Sequence, residues 1–266
     1  MSDDQLKEKV ADVKVFARVS PEHKLRIVKA FQSRRFTVAV TGDGVNDAPA
    51  LKAADVGLAM GIIGTDVAKE AADMVIADDN FSSIVAAVEE GRVVYENILK
   101  SIRYLISCNS GELIAILGVV LVGFPSPLTA VQILWMNLVT DGLPALALAQ
   151  DRSNPEIMQK APRSKSVSIL ATAGILWILA VGVILGAITI LPFILLDVTK
   201  SLNDARTAAF TILVLGQMIV VFLARGGESW YSNKLLLAAV AITIVLQIAI
   251  VTLAPLQRIF DTALPF

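Results

Sequence analysis

Three stretches of this chain, 166–196, 207–224 and 235–257, contain no Asp, Glu, Lys or Arg. An apolar run of about 20 residues is long enough to cross the hydrocarbon layer of a bilayer as a helix. These segments therefore exclude a wholly water-soluble fold. Residues 104–149 add further apolar length, interrupted by just two charges, Glu112 and Asp141. Five spans are expected, at about 101–123, 128–149, 168–193, 206–224 and 234–254, with "GFPSP" at 123–127 as a tight hairpin between the first two.

The front of the chain reads differently. Overall the chain is 55% hydrophobic with a mean hydropathy of +0.69, yet most of its charged residues fall within the first hundred positions. Short apolar runs at 13–17, 36–40, 56–60 and 74–77 predict strands, and the segments 21–33, 48–54 and 65–72 predict the helices between them. Such strand–helix repeats build a parallel sheet with helices on its faces. The expected fold is thus an α/β region, residues 1–90, followed by an all-α transmembrane helix bundle, residues 91–266. The net charge of −1 gives no reason to expect nucleic acid as a partner. A single cysteine, Cys108, excludes an internal disulfide framework. The start "MSDDQLKEKV" is too acidic for a secretory signal, so the N-terminal soluble part is expected in the cytoplasm. The loop at 150–167 carries Arg152, Lys160, Arg163 and Lys165, which suits a cytoplasmic loop by the positive-inside rule.

Two groups of residues carry chemistry. "TGDGVNDAPAL" at 41–51 follows a predicted strand, where open α/β sheets bind their ligands. Asp43 and Asp47 can share Mg2+, which takes one or two carboxylates plus substrate oxygens, with Asn46 and backbone amides close to a phosphate. Lys24, just inside a helix opened by Ser20–Pro21, can meet a phosphoryl group as a point charge. The plainer alternative is a surface turn whose Asn and Asp serve turn geometry. His23 reads equally well as a helix N-terminal residue. Trp135 and Cys108 read as packing residues, and Asp78–Asp79 and Glu89–Glu90 as solvated faces.

The second group lies within the spans, where polar residues are costly and mark function. Asn109 and Glu112 share one helix face, as do Asn137, Thr140 and Asp141. Gly142 and Pro144 follow at once, so the helix is expected to loosen there and free backbone carbonyls. Two carboxylates, two amides and a hydroxyl form an oxygen donor set of the kind calcium takes. Gln217 can add a further oxygen. The competing reading is that these groups are protonated or hydrogen-bonded side chains joining helices.

At this point a resemblance emerges. "TGDGVNDAPAL" is similar to the hinge motif of the P-type ATPases, and "ARVSPEHK" at 17–24 looks like their lysine motif. The resemblance implies that residues 1–90 are the C-terminal part of a haloacid-dehalogenase-like phosphorylation domain, with Asp43 and Asp47 at the Mg2+ site, Asn46 beside it and Lys24 at the phosphate. "NSGE" at 109–112 and "NLVTDGLPA" at 137–145 resemble the fifth and sixth membrane helices of the calcium pumps. Positions matching Asn109, Glu112, Asn137, Thr140 and Asp141 would then hold the transported Ca2+, and the five spans would be the fifth to ninth of the family. Mn2+ also suits oxygen ligands. Gln217 stands where two-site calcium pumps carry a glutamate, which leaves the number of ions per cycle open.

The sequence contains neither "DKTGT" nor "TGES", so the family's phosphorylated aspartate and actuator loop are missing, along with its ATP-binding domain. The expected function is therefore part of an ATP-driven Ca2+ pump that needs the missing N-terminal part, inactive alone. The alternative is a truncated, non-catalytic membrane subunit or regulator of a complete pump. A mechanical link is also expected. No proline interrupts 81–122, and at 1.5 Å per residue Ser82 to Glu112 would span roughly 45 Å, enough for one helix to join the Mg2+ region to the ion ligands.

Overall fold

The computed structural model describes residues 1–152, 156–162, 170, 172–196, 201–226, 229 and 231–263. They form two compact units, the first built on Met1–Gly91 and the second on Arg92–Ile157 and Ser168–Phe266.

The first unit begins with α1 (Asp3–Lys9), closed by a capping box between Ser2 and Gln5. Helix α2 (Pro21–Ser33) starts where the Ser20 hydroxyl accepts the His23 N–H and Pro21 occupies the first turn, a position where its missing N–H costs nothing. Three parallel strands follow, β1 (Ala39–Gly42), β2 (Val56–Met60) and β3 (Met74–Ile76), in the order β1-β2-β3. They alternate with α3 (Ala48–Ala53) and α4 (Asp66–Ala71). Leu51, Ala59 and Ala68 pack between strand and helices as a small core, while Leu6, Val10 and Ala30 form another between α1 and α2.

Three sequence expectations change here. Residues 13–17 form no strand, and Val15 is 78% exposed; apolar composition suffices for a strand only where a neighbour completes the ladder. The first strand starts at Ala39 rather than 36, because the Val38 N–H is taken by the Asp55 carboxylate at 2.8 Å. Asp78 and Asp79 are more than solvated charges. Asp79, at φ 50°, accepts the N–H groups of Gly61, Ile62 and Ile63 at 2.6–3.0 Å, and Asp78 accepts the Ser83 hydroxyl. Together they tie the turn before the next helix to the loop after β2.

That helix, α5 (Phe81–Leu121), runs unbroken for 41 residues. The next apolar segment is α6 (Ala130–Trp135), a π-helical turn at Met136–Thr140 and α7 (Gly142–Ala149). Then come α8 (Thr172–Leu195), α9 (Leu202–Ala224), α10 (Lys234–Thr252) and the short α11 (Ala254–Phe260). Among the described residues, α5, the 130–149 segment, α8, α9 and α10 are long and apolar enough to cross a membrane. Helix α9 starts at Leu202, four residues before the apolar run, because the Ser201 hydroxyl caps it at the Asp204 N–H. The expected third span starts at 168, which with Arg163 and Lys165 lies outside the described residues.

Small residues let two of these helices meet. A Cβ on Gly182 of α8 would come within 2.7 Å of the Ser110 Cβ of α5, and one on Gly186 within 2.5 Å of Ile114. Such a small-xxx-small stripe replaces the hydrophobic drive that lipid does not supply with close van der Waals contact. Phe210, Leu213, Val214 and Val221 of α9 are fully buried in the main core of this unit, and α11 is anchored where the Gln132 amide donates to the Phe260 carbonyl.

Candidate cation sites

The loop after β1 is organised by Asp47. Gly42 ends the strand with no room for a side chain, since a Cβ there would lie 2.5 Å from the Asp47 Cβ. The chain then makes a 3-10 turn at Val45–Asp47 that leads into α3. Asp47 is buried, its Oδ1 paired with the Lys24 ammonium and its Oδ2 accepting the N–H groups of Asp43 and Gly44 at 3.3 Å. Burial pushes the Asp47 carboxyl up, but Lys24 and those amides outweigh it and hold the group below its ordinary value. Asp43 and Asn46 are exposed, and the Asp43 carbonyl accepts the Thr65 N–H at 2.8 Å. Lys24 and Asp47 thus form one unit at the carboxyl end of the sheet, with Asp43 facing solvent beside them. The exposed Asp43 carboxylate with water access suits Mg2+, which takes one or two carboxylates with the remaining ligands from water and phosphate, while the Lys24 ammonium suits an anionic phosphate.

The second site is assembled from distant elements. The Gln217 amide of α9 donates to Glu112 Oε1 of α5 at 3.0 Å, and its oxygen accepts the Thr140 hydroxyl at 3.3 Å. All three side chains are buried, as is Asp141. The π-helical turn explains why Thr140 and Asp141 can take part. Pro144 has no N–H to offer the Thr140 carbonyl, and the Asp141 N–H bonds instead to Met136, five residues back, at 2.9 Å. The released Thr140 carbonyl accepts the Tyr104 hydroxyl at 3.3 Å, which also lies 3.2 Å from Asp141 Oδ1. Asp141 Oδ2 is buried with no hydrogen-bond partner. The expected loosening of this helix and release of a carbonyl are both present.

Not every residue named from the sequence joins the cluster. Asn109 and Asn137 are exposed, and each side-chain amide donates to a carbonyl one turn back in its own helix, Leu105 at 2.9 Å and Ile133 at 3.1 Å. Conversely, Tyr104 was not read from the sequence. The available signal was a tyrosine hydroxyl in an uncharged stretch, two turns from Glu112 on the same helix face. Cys108 is buried between them and Trp135 packs edge-on to Phe260 at 5.2 Å. Among the described residues no three His, Cys, Asp or Glu side chains gather to hold a metal. What the cluster supplies is two carboxylates with neutral oxygens in a water-poor interior, a combination that favours a hard cation or protons over two bare charges.

Comparison with known proteins places these features. Residues 125–265 match the family described as cation transporting ATPase, C-terminus, and residues 5–55 match haloacid dehalogenase-like hydrolase. The chain is 48% identical over 269 residues to a calcium-transporting ATPase of Bacillus subtilis, covering 98% of this chain and 30% of that protein. It is 44% identical over 272 residues to calcium-transporting ATPase 1 of Lactococcus lactis, covering 100% of this chain and 31% of the relative. A probable cation-transporting ATPase F of Mycobacterium bovis is 42% identical over 270 residues, 99% of this chain and 30% of that protein. The chain therefore spans about a third of the length of these relatives.

Proposed function

The chain belongs to the cation-transporting ATPases, as a multi-pass integral membrane protein, and from that premise we propose that it supplies the ion-binding membrane helices of a P-type calcium pump. The buried Glu112–Gln217–Thr140 chain of hydrogen bonds with Asp141 alongside carries this reading. Three apolar helical segments bring these side chains together, and Glu112, Asp141, Thr140 and Gln217 each offer a cation oxygen, with the Cys108 thiol buried beside them. Two carboxylates without a counter-charge are expensive in such a place, so binding Ca2+ and releasing it against protons is the chemistry the cluster favours. The relatives' names, which specify calcium, support the choice of ion. Asn109 and Asn137 belong to this proposal through the resemblance, as ligands presented on the same two helices.

The first unit takes the phosphate side of the reaction. Asp43 and Asp47 would hold Mg2+, which when bound neutralises phosphate oxygens during phosphoryl transfer. Lys24 places its ammonium at the same strand ends and keeps Asp47 ionised and oriented. Asn46, exposed on the same loop, would lie beside the metal, while the Asp43 and Gly44 N–H groups hold Asp47 in place. The phosphorylated aspartate and the ATP-binding domain would come from the rest of the pump, and the first unit would lie on the cytoplasmic side. Helix α5, beginning in the first unit and carrying Glu112, is the element through which the two reactions would be linked.

The test joins this chain to the N-terminal two thirds of the Bacillus subtilis relative and measures phosphorylation from ATP as Ca2+ is titrated. Ca2+-activated phosphoenzyme that is lost in Glu112→Gln is the expected result. Phosphorylation indifferent to Ca2+, or unchanged in that variant, would overturn the reading, and activation by Mn2+ alone would reassign the ion.

A further inference from the structure

Beyond the candidate site, the second unit holds a carboxylate that is more fully engaged than any within it. Asp151 lies two residues past α7 with its side chain 0% exposed. Its Oδ2 accepts from Lys100 Nζ of α5 and from Nε of Arg225, the residue that ends α9, both at 3.0 Å. Its Oδ1 accepts from Arg225 Nη2 at 2.9 Å and from the Asn233 amide, which caps α10, at 3.1 Å. Asn97 of α5 donates to the Asp151 carbonyl at 2.8 Å, and Asn233 donates also to the Ala147 carbonyl of α7 at 2.9 Å. One side chain thus gathers α5, α7, α9 and α10 at a single level.

A buried ion pair seldom adds stability over well-packed apolar groups; its best attested use is to set registry. Three of the clamped helices are those that carry the cluster. Along them, Lys100 lies about 18 Å from Glu112, Asp151 about 15 Å from Asp141 and Arg225 about 12 Å from Gln217. A slip of one residue moves a helix by about 1.5 Å, enough to part the Gln217–Glu112 bond, which stands at 3.0 Å.

We propose that Asp151 is a positioning residue for the cation site, its clamp on Lys100, Arg225 and Asn233 setting the axial register at which Glu112, Asp141 and Gln217 face one another. The inference rests on reading that cluster as a cation site. It assigns Asp151 no contact with the ion. Its effect is carried by the helices, so disturbing the clamp weakens ion binding while the ligands themselves are intact.

The experiment uses the 266-residue chain in lipid nanodiscs, with spin labels at the exposed positions Leu117 of α5 and Ile219 of α9 and Ca2+ as the probe ligand. In Asp151→Asn the inter-label distance distribution is expected to shift or broaden. The Ca2+ concentration for half-saturation should rise about tenfold or more, the range seen when groups that orient a ligand are lost. Glu112→Gln should lose Ca2+ binding with the distance unchanged. If Asp151→Asn alters neither readout while Glu112→Gln abolishes binding, the clamp proposal falls and the site reading stands. If Glu112→Gln leaves binding intact, the site reading falls, and the distance measurement alone decides whether the clamp sets register. Should Asp151→Asn not fold, Arg225→Lys keeps the charge but removes the two-pronged grip; it should move both readouts in the same direction by less, and no movement would overturn the proposal.

Discussion

The loop after β1 and the polar cluster among the apolar helices each present two acidic residues, and they hold them in opposite ways. In the loop, Asp47 has both carboxylate oxygens engaged, by Lys24 and by two backbone N–H groups, while Asp43 faces water. In the cluster both carboxylates are buried, and Asp141 keeps one oxygen with no partner at all. The loop's buried carboxylate is already balanced as it stands, and Asp43 is left open at a solvated edge. The cluster is short of positive charge and needs a cation or protons to be balanced. A substitution in the loop should therefore grade the response, and one in the cluster should abolish it.

The sharpest way to break this contrast is Asp141→Asn in the pump assembled with the Bacillus subtilis relative. Ca2+-activated phosphorylation from ATP should disappear, because a dehydrated ion would face one carboxylate instead of two where solvent cannot compensate. Retention of normal Ca2+ activation would mean that Asp141 merely joins helices and that the cluster behaves like the loop.

A smaller, graded effect is expected from Asp43→Asn. Phosphoenzyme should still form, but the Mg2+ concentration it requires should rise by about an order of magnitude, comparable to or above the loss of a supporting ligand. Because Asp43 is exposed, thermal unfolding of the chain should change by no more than about 0.5 kcal/mol. A Mg2+ requirement that does not move would remove Asp43 from the metal site and leave the turn as a turn.

The smallest effect concerns Lys24→Met. The Asp47 carboxyl is held below its ordinary value, so its stabilising contribution is present above the unfolded carboxylate value of about 3.9 and is lost as pH falls through the lower folded value. Removing Lys24 lets the Asp47 value rise, so acid unfolding of the first unit should begin at higher pH. At neutral pH the loss should stay below about 1 kcal/mol, because the Lys24 side chain is 41% exposed and its pairing is screened. Circular dichroism followed from neutral to acidic pH checks this; an unmoved acid limb would show that the backbone amides alone hold Asp47.

Much of this molecule was legible from neighbours in sequence. Ser20 and Pro21 announce α2, charge-free runs announce the apolar helices, and Pro144 with Gly142 announces the break that the π-helical turn realises. These signals are local because capping, proline geometry and hydropathy act within a few residues of the chain. The same rules misread 13–17 as a strand, since a ladder requires a partner that local composition does not specify. Nor could they pair Gln217 with Glu112, 105 residues away, or Arg225 with Asp151, 74 residues away. Those meetings are decided by packing: once apolar faces close and exclude water, each buried polar group must find whichever partner the fold brings within about 3 Å, or go without. Sequence alone determined that carboxylates would sit among apolar helices. Gln217 was named from the sequence as a further oxygen, but only the tertiary structure decided that it bonds to Glu112 and Thr140 and that Tyr104 joins them. It also decided that the Asn109 and Asn137 amides bond within their own helices, and that Asp151 gathers four helices at one level.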